Sequence, residues 1–282
     1  WNEPYDCTEA LWGPKAVNRE CRSYHSAFFA SGNGLRIRHG KYAGRIIFVA
    51  AVHSAEKGKF DNYAVYSDDE GASWKVSARA YTDGDEAKVA ELPDGRILMS
   101  VRQHGLRGYN FSEDGGATWG CQGKWKDMNV TACDGDLLAV GDSLLLQSVP
   151  NDMTRRNVSV FVSRDSGRTW PYVKSLCRYE SVYSSLTLQK DGTIGAYIEE
   201  NPAAEFDMYY LNFSVNWLLN RSGKEKYMDF LSSTMPLPDS LVYPREYWEQ
   251  NVAKTLEVRD RMNWDVPERE FRHFVLPIRV NN

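Results

Sequence analysis

The chain has 282 residues, of which 42% are hydrophobic and 26% are charged, a length and composition that suit one or two globular domains. Its 34 basic and 38 acidic side chains give a formal net charge of −4, and without a basic patch or a run of like charges they argue against nucleic acid or a membrane surface as a partner. The chain also lacks an apolar stretch of about 18 residues, so no membrane-spanning helix is expected.

Short apolar runs separated by Asp-Gly turns follow one another along residues 1–219, and this alternation is typical of β-hairpins. The apolar run at residues 46–52 is nearly continuous and predicts an inner strand. The predicted strands cover residues 46–52, 63–66, 96–101, 109–111, 137–140, 158–162, 186–188, 194–197 and 209–213. We expect the last of them to close the fold, and we expect β structure throughout this part of the chain.

A short pattern, Ser-x-Asp-x-Gly-x-Ser/Thr-Trp, occurs three times, at residues 67–74, 112–119 and 163–170. Each copy follows a predicted strand. Asp and Ser side chains bond to their own backbone in tight turns, the Gly adopts a backbone conformation that other residues resist, and the Trp packs on the next strand. Each copy therefore predicts a strand–turn–strand hairpin with a structural loop.

The copies start 45 and 51 residues apart, which leaves room for about four short strands in each repeat. Repeats of this size are typical of the blades of a β-propeller. We expect the three turns to lie at the periphery of the blades, away from any functional site.

The pattern changes after residue 219. Apolar residues in the segment 245–262 recur at a roughly helical period after Pro244, and residues 271–280 read as a strand. This C-terminal part weakly resembles the lead-in of a transglutaminase-like module, and the alternative is a helical extension that packs on the propeller. The predicted division is residues 1–219 and 220–282.

Five cysteines are scattered along the chain without a Cys-x-x-Cys pair, so a zinc site is not indicated. A disulfide and five reduced or partly buried thiols both remain open, and the candidate pair is Cys7 and Cys21. The other three are Cys121, Cys133 and Cys177.

Four polar residues could carry chemistry. Glu86 precedes a predicted strand, where it would face the central axis of a propeller, although an acidic loop residue is often only solvated. Tyr183 begins the run Tyr-Ser-Ser-Leu before an Asp-Gly hairpin, a place that also suits a packed aromatic ring. Arg102 follows the Glu86 hairpin and Arg155 precedes the strand before the third repeat, and either could instead lie at a solvated edge.

The three repeats are Asp boxes, and with them the chain resembles the bacterial sialidase (neuraminidase) family of six-bladed β-propellers. The run 183–186 and the following Ile-Gly-Ala-Tyr-Ile-Glu of residues 194–199 are similar to the family's late blade. The resemblance covers roughly residues 20–215. It implies an all-β fold that contains the last four or so blades of a sialidase-type propeller.

The resemblance implies that Tyr183 is the nucleophile and Glu86 its basic partner. It also implies that Arg102 and Arg155 bind the carboxylate of sialic acid, with Arg156 as an alternative to Arg155. The expected activity is the hydrolysis of terminal α-linked sialic acids on glycoconjugates, with retention and without a metal or cofactor. The other candidate function is a non-catalytic Asp-box propeller that binds glycans or a protein.

The chain departs from the family's pattern at its beginning. An Arg-Ile-Pro motif, a general-acid Asp and a further Asp box are absent, and neither Asp6 nor Asp61 lies in a matching motif. We therefore expect a preceding segment or a partner chain to complete the propeller, and this stretch alone to be weakly active or inactive. The resemblance further implies a secreted, periplasmic or cell-surface location.

Overall fold

The computed structural model describes residues 6–54, 59–177, 180–201, 207–219 and 276–278. These residues form four antiparallel sheets that follow one another along the chain, which confirms the prediction of an all-β, partial sialidase-type propeller. Two short α-helices occur in the described ranges, α1 (Thr8–Leu11) and α2 (Val215–Leu219). Residues Arg19–Ser23 form a 3₁₀ helix. The expectation of β structure throughout residues 1–219 is therefore wrong at these helical turns.

We call the four sheets blades 1 to 4, and in each one the strands pair with their neighbours in chain order. Blade 1 also contains a short strand, β2, that pairs with β3 in line with β1. The strands of blade 1 are β1 (Tyr24–Phe29), β2 (Leu35–Arg36), β3 (Ile46–Ser54), β4 (Phe60–Ser67) and β5 (Lys75–Tyr81). Those of blade 2 are β6 (Ala87–Glu91), β7 (Ile97–Val101), β8 (Gly105–Ser112) and β9 (Gly123–Val130).

Blades 3 and 4 repeat the same four-stranded order. The strands of blade 3 are β10 (Asp136–Val140), β11 (Leu144–Pro150), β12 (Val158–Ser163) and β13 (Tyr172–Ser175). Those of blade 4 are β14 (Glu180–Leu188), β15 (Ile194–Asn201), β16 (Asp207–Phe213) and β17 (Leu276–Ile278). The prediction that residues 209–213 close the fold is wrong, because β17 pairs with the outer side of β16. This pairing joins residues far apart in sequence, which no local pattern reveals.

The blades pack face to face, and alternate residues of one strand face opposite neighbours. Ile97 and Met99 are fully buried against blade 1, whereas Leu98 between them is buried against blade 3. In the same way Leu145 packs toward blade 2 and Leu146 toward blade 4. Since side chains alternate across a strand, burial of both faces explains the nearly continuous apolar runs in the sequence.

The N-terminal segment packs on the face of blade 1 that points away from blade 2. Leu11, Trp12 and Cys21 are buried there against a patch of β3 and β4 that includes Val52 and Val65. Removing this apolar surface from water stabilises the first blade. All five cysteines are free thiols in the structure, so it contains no bond between Cys7 and Cys21.

The Asp boxes connect the last two strands of blades 1, 2 and 3 (β4–β5, β8–β9 and β12–β13), at the outer side of each sheet, as predicted. In the second box the Ser112 hydroxyl accepts the Gly116 N–H at 2.8 Å, and Asp114 accepts the Thr118 N–H at 2.8 Å. Gly116 has a φ of 87°, a left-handed conformation that favours glycine. The corresponding bonds recur in the other two boxes. The boxes are therefore self-contained turns.

Most of the C-terminal part of the chain lies outside the described residues. This applies to the predicted helix over 245–262 and to the resemblance of residues 220–282 to a transglutaminase-like lead-in, apart from β17. Within the described ranges, the helices are too short and too polar for any of them to cross a lipid bilayer.

Candidate active site

Glu86 and Arg102 lie at the ends of two adjacent strands of blade 2. Glu86 immediately precedes β6 and Arg102 immediately follows β7, and these strands are antiparallel partners. The Arg102 N–H donates to the Glu86 carbonyl at 2.8 Å, which extends the ladder by one pair. The hairpin therefore holds a carboxylate and a guanidinium side by side.

Tyr183 comes from blade 4, yet its side chain reaches Glu86. Its hydroxyl donates to Glu86, with Oη 3.0 Å from Oε1 and 3.2 Å from Oε2, across 97 residues of sequence. Arg102 pairs with Glu86 Oε2, and its Nη1 lies 3.4 Å from the Tyr183 hydroxyl. Ser31 donates to Glu86 Oε1 at 3.3 Å. The structure thus joins three of the four predicted site residues in one hydrogen-bonded cluster.

The electrostatics of this cluster keep the phenol neutral. Burial raises the pKa of Tyr183, and the charge of Glu86 and the hydrogen bond to it raise this pKa further, against the opposing effect of Arg102. Burial lowers the pKa of Arg102, but the hydrogen bond to Glu86 and the charges of Asp85 and Glu86 raise it more. A protonated phenol therefore faces a carboxylate whose charge is balanced by a permanent cation.

A β-bulge aims Tyr183 at this cluster. In the β14–β15 ladder Ser181 pairs with Glu200 and Ser184 with Ile198, so Val182 and Tyr183 together oppose the single residue Glu199. The Tyr183 N–H donates to the Glu199 carboxylate at 3.4 Å. Bulges occur frequently beside active sites, where the extra residue turns a side chain away from its regular direction.

The predicted second arginine lies at the rim of the site. Arg155 is exposed in the loop between β11 and β12, and its carbonyl accepts the Ser181 N–H at 2.9 Å, two residues before Tyr183. Burial raises the pKa of the Cys133 thiol to about 11, and the nearby charge of Arg155 opposes this effect. The backbone of the alternative, Arg156, bridges to Glu180. Arg155 is therefore close to β14 but more open to solvent than Arg102.

The unassigned aspartates have local structural partners. Asp61 is buried, accepts the Asp83 N–H at 3.0 Å and lies 3.2 Å from Arg79 Nε. Asp6 accepts the Thr8 N–H at 2.9 Å at the start of α1. Over the ranges that the structure describes, no group of three or more His, Cys, Asp or Glu side chains could hold a metal ion.

Several contributors to the cluster have no distinct signal in the sequence. Ser31 follows β1 in a glycine-containing loop, and Glu199 acts through a bulge that depends on the pairing of two strands. Lys88, two residues after Glu86, forms an almost fully buried ion pair with Asp134, with Nζ 2.7 Å from Oδ2. A charge pattern in the sequence does not separate such a pair from solvated loop residues.

The chain is similar to known proteins over the same blades. The family model for the BNR repeat-like domain matches residues 25–196, more than half of the chain. A sialidase from Micromonospora viridifaciens is 31% identical over 208 residues, which are 69% of this chain and 31% of that protein. A sialidase from Bacteroides fragilis is 27% identical over 217 residues, which are 72% of this chain and 38% of that protein.

A comparison with solved structures also finds sialidases. A Hadza microbial sialidase has a TM-score of 0.63 and 25% sequence identity, and the match covers 70% of this chain and 39% of that one. The chain thus spans about a third of the length of the curated relatives it matches.

Proposed function

The chain belongs to the family of proteins with a BNR repeat-like domain and resembles bacterial sialidases, and from this premise we propose that it forms part of an exo-α-sialidase. The proposed reaction is the hydrolysis of terminal α-linked sialic acids on glycoconjugates. The observation that carries the proposal is the contact between Tyr183 Oη and Glu86 Oε1 at 3.0 Å, beside Arg102. A module that only binds glycans has no need for a partly buried phenol hydrogen-bonded to a carboxylate.

The chemistry of sialic acid accounts for a tyrosine in this place. The anomeric carbon of the sugar carries a carboxylate, which repels a negatively charged nucleophile. A neutral phenol avoids this repulsion, but with an ordinary pKa of about 10 it needs a base to take its proton. Glu86 accepts the hydrogen bond of Tyr183 and is in position to do this. Sialidases with a Tyr nucleophile are a recognised exception among glycosidases, which generally use two carboxyl groups.

The proposed reaction has two steps. Tyr183 Oη forms a bond to the anomeric carbon, its proton passes to Glu86, and the bond to the aglycone oxygen breaks as a general acid outside the assigned residues protonates the leaving oxygen. Water, deprotonated by a group of the site, then attacks the anomeric carbon, the bond to Tyr183 Oη breaks, and Glu86 returns its proton to give the phenol. Each step inverts the anomeric centre, so the product retains the α configuration.

The two arginines bind the substrate carboxylate in this proposal. Arg102 lies beside both Glu86 and the phenol, so its remaining N–H groups can point toward the sugar bound at Tyr183. Arg155 lies at the rim, on the loop that contacts the start of β14. Planar guanidinium groups suit bidentate pairing with a carboxylate. The pair would fix the sugar through the group that distinguishes sialic acid from neutral sugars.

Turnover of a fluorogenic α-sialoside by the intact protein tests this function. We expect hydrolysis by the wild type, α-sialic acid as the first product in a proton NMR time course, and loss of turnover in Tyr183→Phe. Tyr197→Phe is the matched control, because Tyr197 is 40% exposed and lies in the same blade. Binding of sialylated glycans without any turnover would instead favour the non-catalytic propeller. A location outside the cell or at its surface stays a prediction, which cell fractionation tests.

A further inference from the structure

We infer that four residues at the entrance of blade 3, the spacer segment 133–136 (Cys-Asp-Gly-Asp), fix the distance between Glu86 and Tyr183. The inference rests on the proposed function, in which these two residues are the base and the nucleophile. Glu86 belongs to blade 2 and Tyr183 to blade 4, so a whole blade stands between them. The spacer segment is where that blade holds both neighbours.

The spacer segment is bound to blade 2 by two buried cations. Lys88, two residues after Glu86, places its Nζ 2.7 Å from Asp134 Oδ2, and both side chains are almost fully buried. Arg107 donates from Nη1 to the Cys133 carbonyl at 3.0 Å. Arg107 is itself 1% exposed. In a buried, low-dielectric environment such charged hydrogen bonds are strong and directional.

Lys88 also supports the residue that orients Glu86. A Cβ atom on Gly32 would lie 2.7 Å from Lys88 Cε and 3.1 Å from its Nζ, so the lysine fills the space directly beneath that glycine. Ser31, next to Gly32, donates to Glu86 Oε1 at 3.3 Å. The Lys88–Asp134 pair therefore connects the spacer segment with Glu86 through the β6 backbone and through this loop.

On its other side the spacer segment holds β14 both before and after Tyr183. The Cys133 thiol donates to the Val182 carbonyl at 3.2 Å, within the bulge. Asp136 Oδ2 accepts the Leu186 N–H at 2.7 Å and lies 3.3 Å from Ser185 Oγ. The nucleophile is thus clamped between two anchors that are three residues apart in the spacer segment.

The middle of the spacer segment has no room to move toward β11. A Cβ atom on Gly135 would lie 2.0 Å from the Ser148 carbonyl oxygen, so only glycine fits this backbone approach. The Ser184 hydroxyl, directly beside Tyr183, donates a hydrogen bond to Ser148 Oγ at 2.9 Å. Close packing from blade 2 to blade 4 therefore transmits the position of one catalytic side chain to the other. A displacement of ~1 Å between reacting groups can lower a rate by ~10²-fold.

Substitution of Asp136 tests the inference. Asp136→Ala removes both bonds to β14, and we expect kcat on an α-sialoside to fall ~10- to 100-fold with a smaller change in KM. Asp136→Asn removes the same charge but keeps an acceptor for the Leu186 N–H, so it should retain most of the activity. Asp191→Ala is the control, since Asp191 organises an exposed turn between β14 and β15 in blade 4, the blade of Tyr183.

A second readout reports the contact directly and needs no turnover. NMR titration of tyrosine labelled at Cζ, with the Tyr183 signal assigned from Tyr183→Phe, follows its phenol. We expect Asp136→Ala to lower the pKa of Tyr183, because the phenol moves away from the charge of Glu86, and Asp136→Asn to leave it nearly unchanged. A folded Asp136→Ala protein with the wild-type titration and the wild-type kcat would overturn the inference.

The two readouts also separate this inference from the proposed function. A wild type without turnover refutes the proposed function, whereas the titration still decides whether the spacer segment holds Tyr183 against Glu86. If Asp136→Ala does not fold, the double variant Lys88→Met/Asp134→Leu removes the ion pair that anchors the spacer segment to blade 2. The same fall in kcat and the same direction of the Tyr183 shift are expected, and wild-type values for both would contradict the inference.

Discussion

The Tyr183 hydroxyl lies 3.0 Å from Glu86 Oε1 although the two residues stand on blades that are separated by a third one. No strand pair connects β6 with β14, so the contact depends on the curvature of three packed sheets. Side chains that converge from separate blades on one polar cluster are typical of a functional site on a rigid scaffold.

Replacement of Tyr183 by phenylalanine removes the proposed nucleophile and keeps the ring. We expect turnover of an α-sialoside to fall by ~10³-fold or more, because substrate binding and charge stabilisation by Arg102 remain but no covalent intermediate forms. Since Tyr183 is only partly buried, the thermal unfolding midpoint should change little. Steady-state kinetics and circular dichroism check both statements, and wild-type rates would refute the assignment of the nucleophile.

Replacement of Glu86 by glutamine removes the proposed base and one negative charge. General-base catalysis generally contributes ~10²- to 10⁴-fold, and we expect a loss of kcat in that range. The charge and hydrogen bond of Glu86 raise the pKa of Tyr183, so this pKa should fall in the variant as the phenolate becomes easier to form. Ultraviolet difference titration against Tyr183→Phe measures the shift, and an unchanged phenol pKa would show that the contact is absent in solution.

The sequence predicts the parts of the fold that local patterns determine. The three Asp boxes are self-contained turns, and the strand before each one lies where the apolar runs place it, as at β12. Family motifs at blade spacing predict Glu86, Arg102 and Tyr183 as site residues, and the structure brings their side chains together.

Contacts between distant segments are what the sequence did not predict. The bulge at Tyr183 depends on how β14 pairs with β15, and the burial of Lys88 with Asp134 depends on the packing of blade 2 on blade 3. α1 shows the same limit, because its helical turn is only four residues long and is stabilised by burial of Leu11 against blade 1. Short helices of this kind are unstable alone, so tertiary packing decides them.

Arg102 and Arg155 should affect substrate binding to different degrees. Arg102→Lys keeps the charge but loses the planar fork, and we expect KM to rise ~10-fold or more, with a lower kcat because Arg102 also pairs with Glu86. Arg155→Ala at the exposed rim should raise KM less. Arg156→Ala, in the same loop, should raise it least, and a larger effect there than in Arg155→Ala would assign the second clamp to Arg156.

The Asp boxes should contribute a pH-dependent part of the stability. Burial raises the pKa of Asp114, but hydrogen bonds from Thr118 and Ser112 lower it more, so the net shift is downward. The folded state then binds fewer protons than the unfolded state, whose carboxyl titrates near pH ~3.9. Stability from this group is present above that pH and is lost as the pH falls through the lower, folded pKa.

Asp114→Asn should therefore destabilise the protein by about 1 kcal/mol at pH 7, and the difference from the wild type should shrink below about pH 4. Urea unfolding at pH 7 and at pH 3 measures this difference. Glu113→Gln is the matched control, since Glu113 is an exposed neighbour in the same turn. A difference that stays constant across this pH range would show that the box does not act through its ionised carboxylate.

Breaking the buried ion pair of Lys88 and Asp134 should lower the stability of the protein, whereas replacing both residues by apolar ones should change it little. Lys88→Met leaves a buried carboxylate without its counter-ion, which costs about 3–5 kcal/mol, whereas Lys88→Met/Asp134→Leu removes both charges and should be close to the wild type in stability. Burial raises the pKa of Asp134 and Lys88 opposes this effect, so in Lys88→Met the Asp134 carboxyl should take up a proton.

The folded Lys88→Met protein then binds more protons than its unfolded chain, and its stability should fall as the pH rises from 5 to 8. Urea unfolding midpoints at both pH values test this, and equal destabilisation of the single and double variants would show that Lys88 acts through packing rather than through its charge.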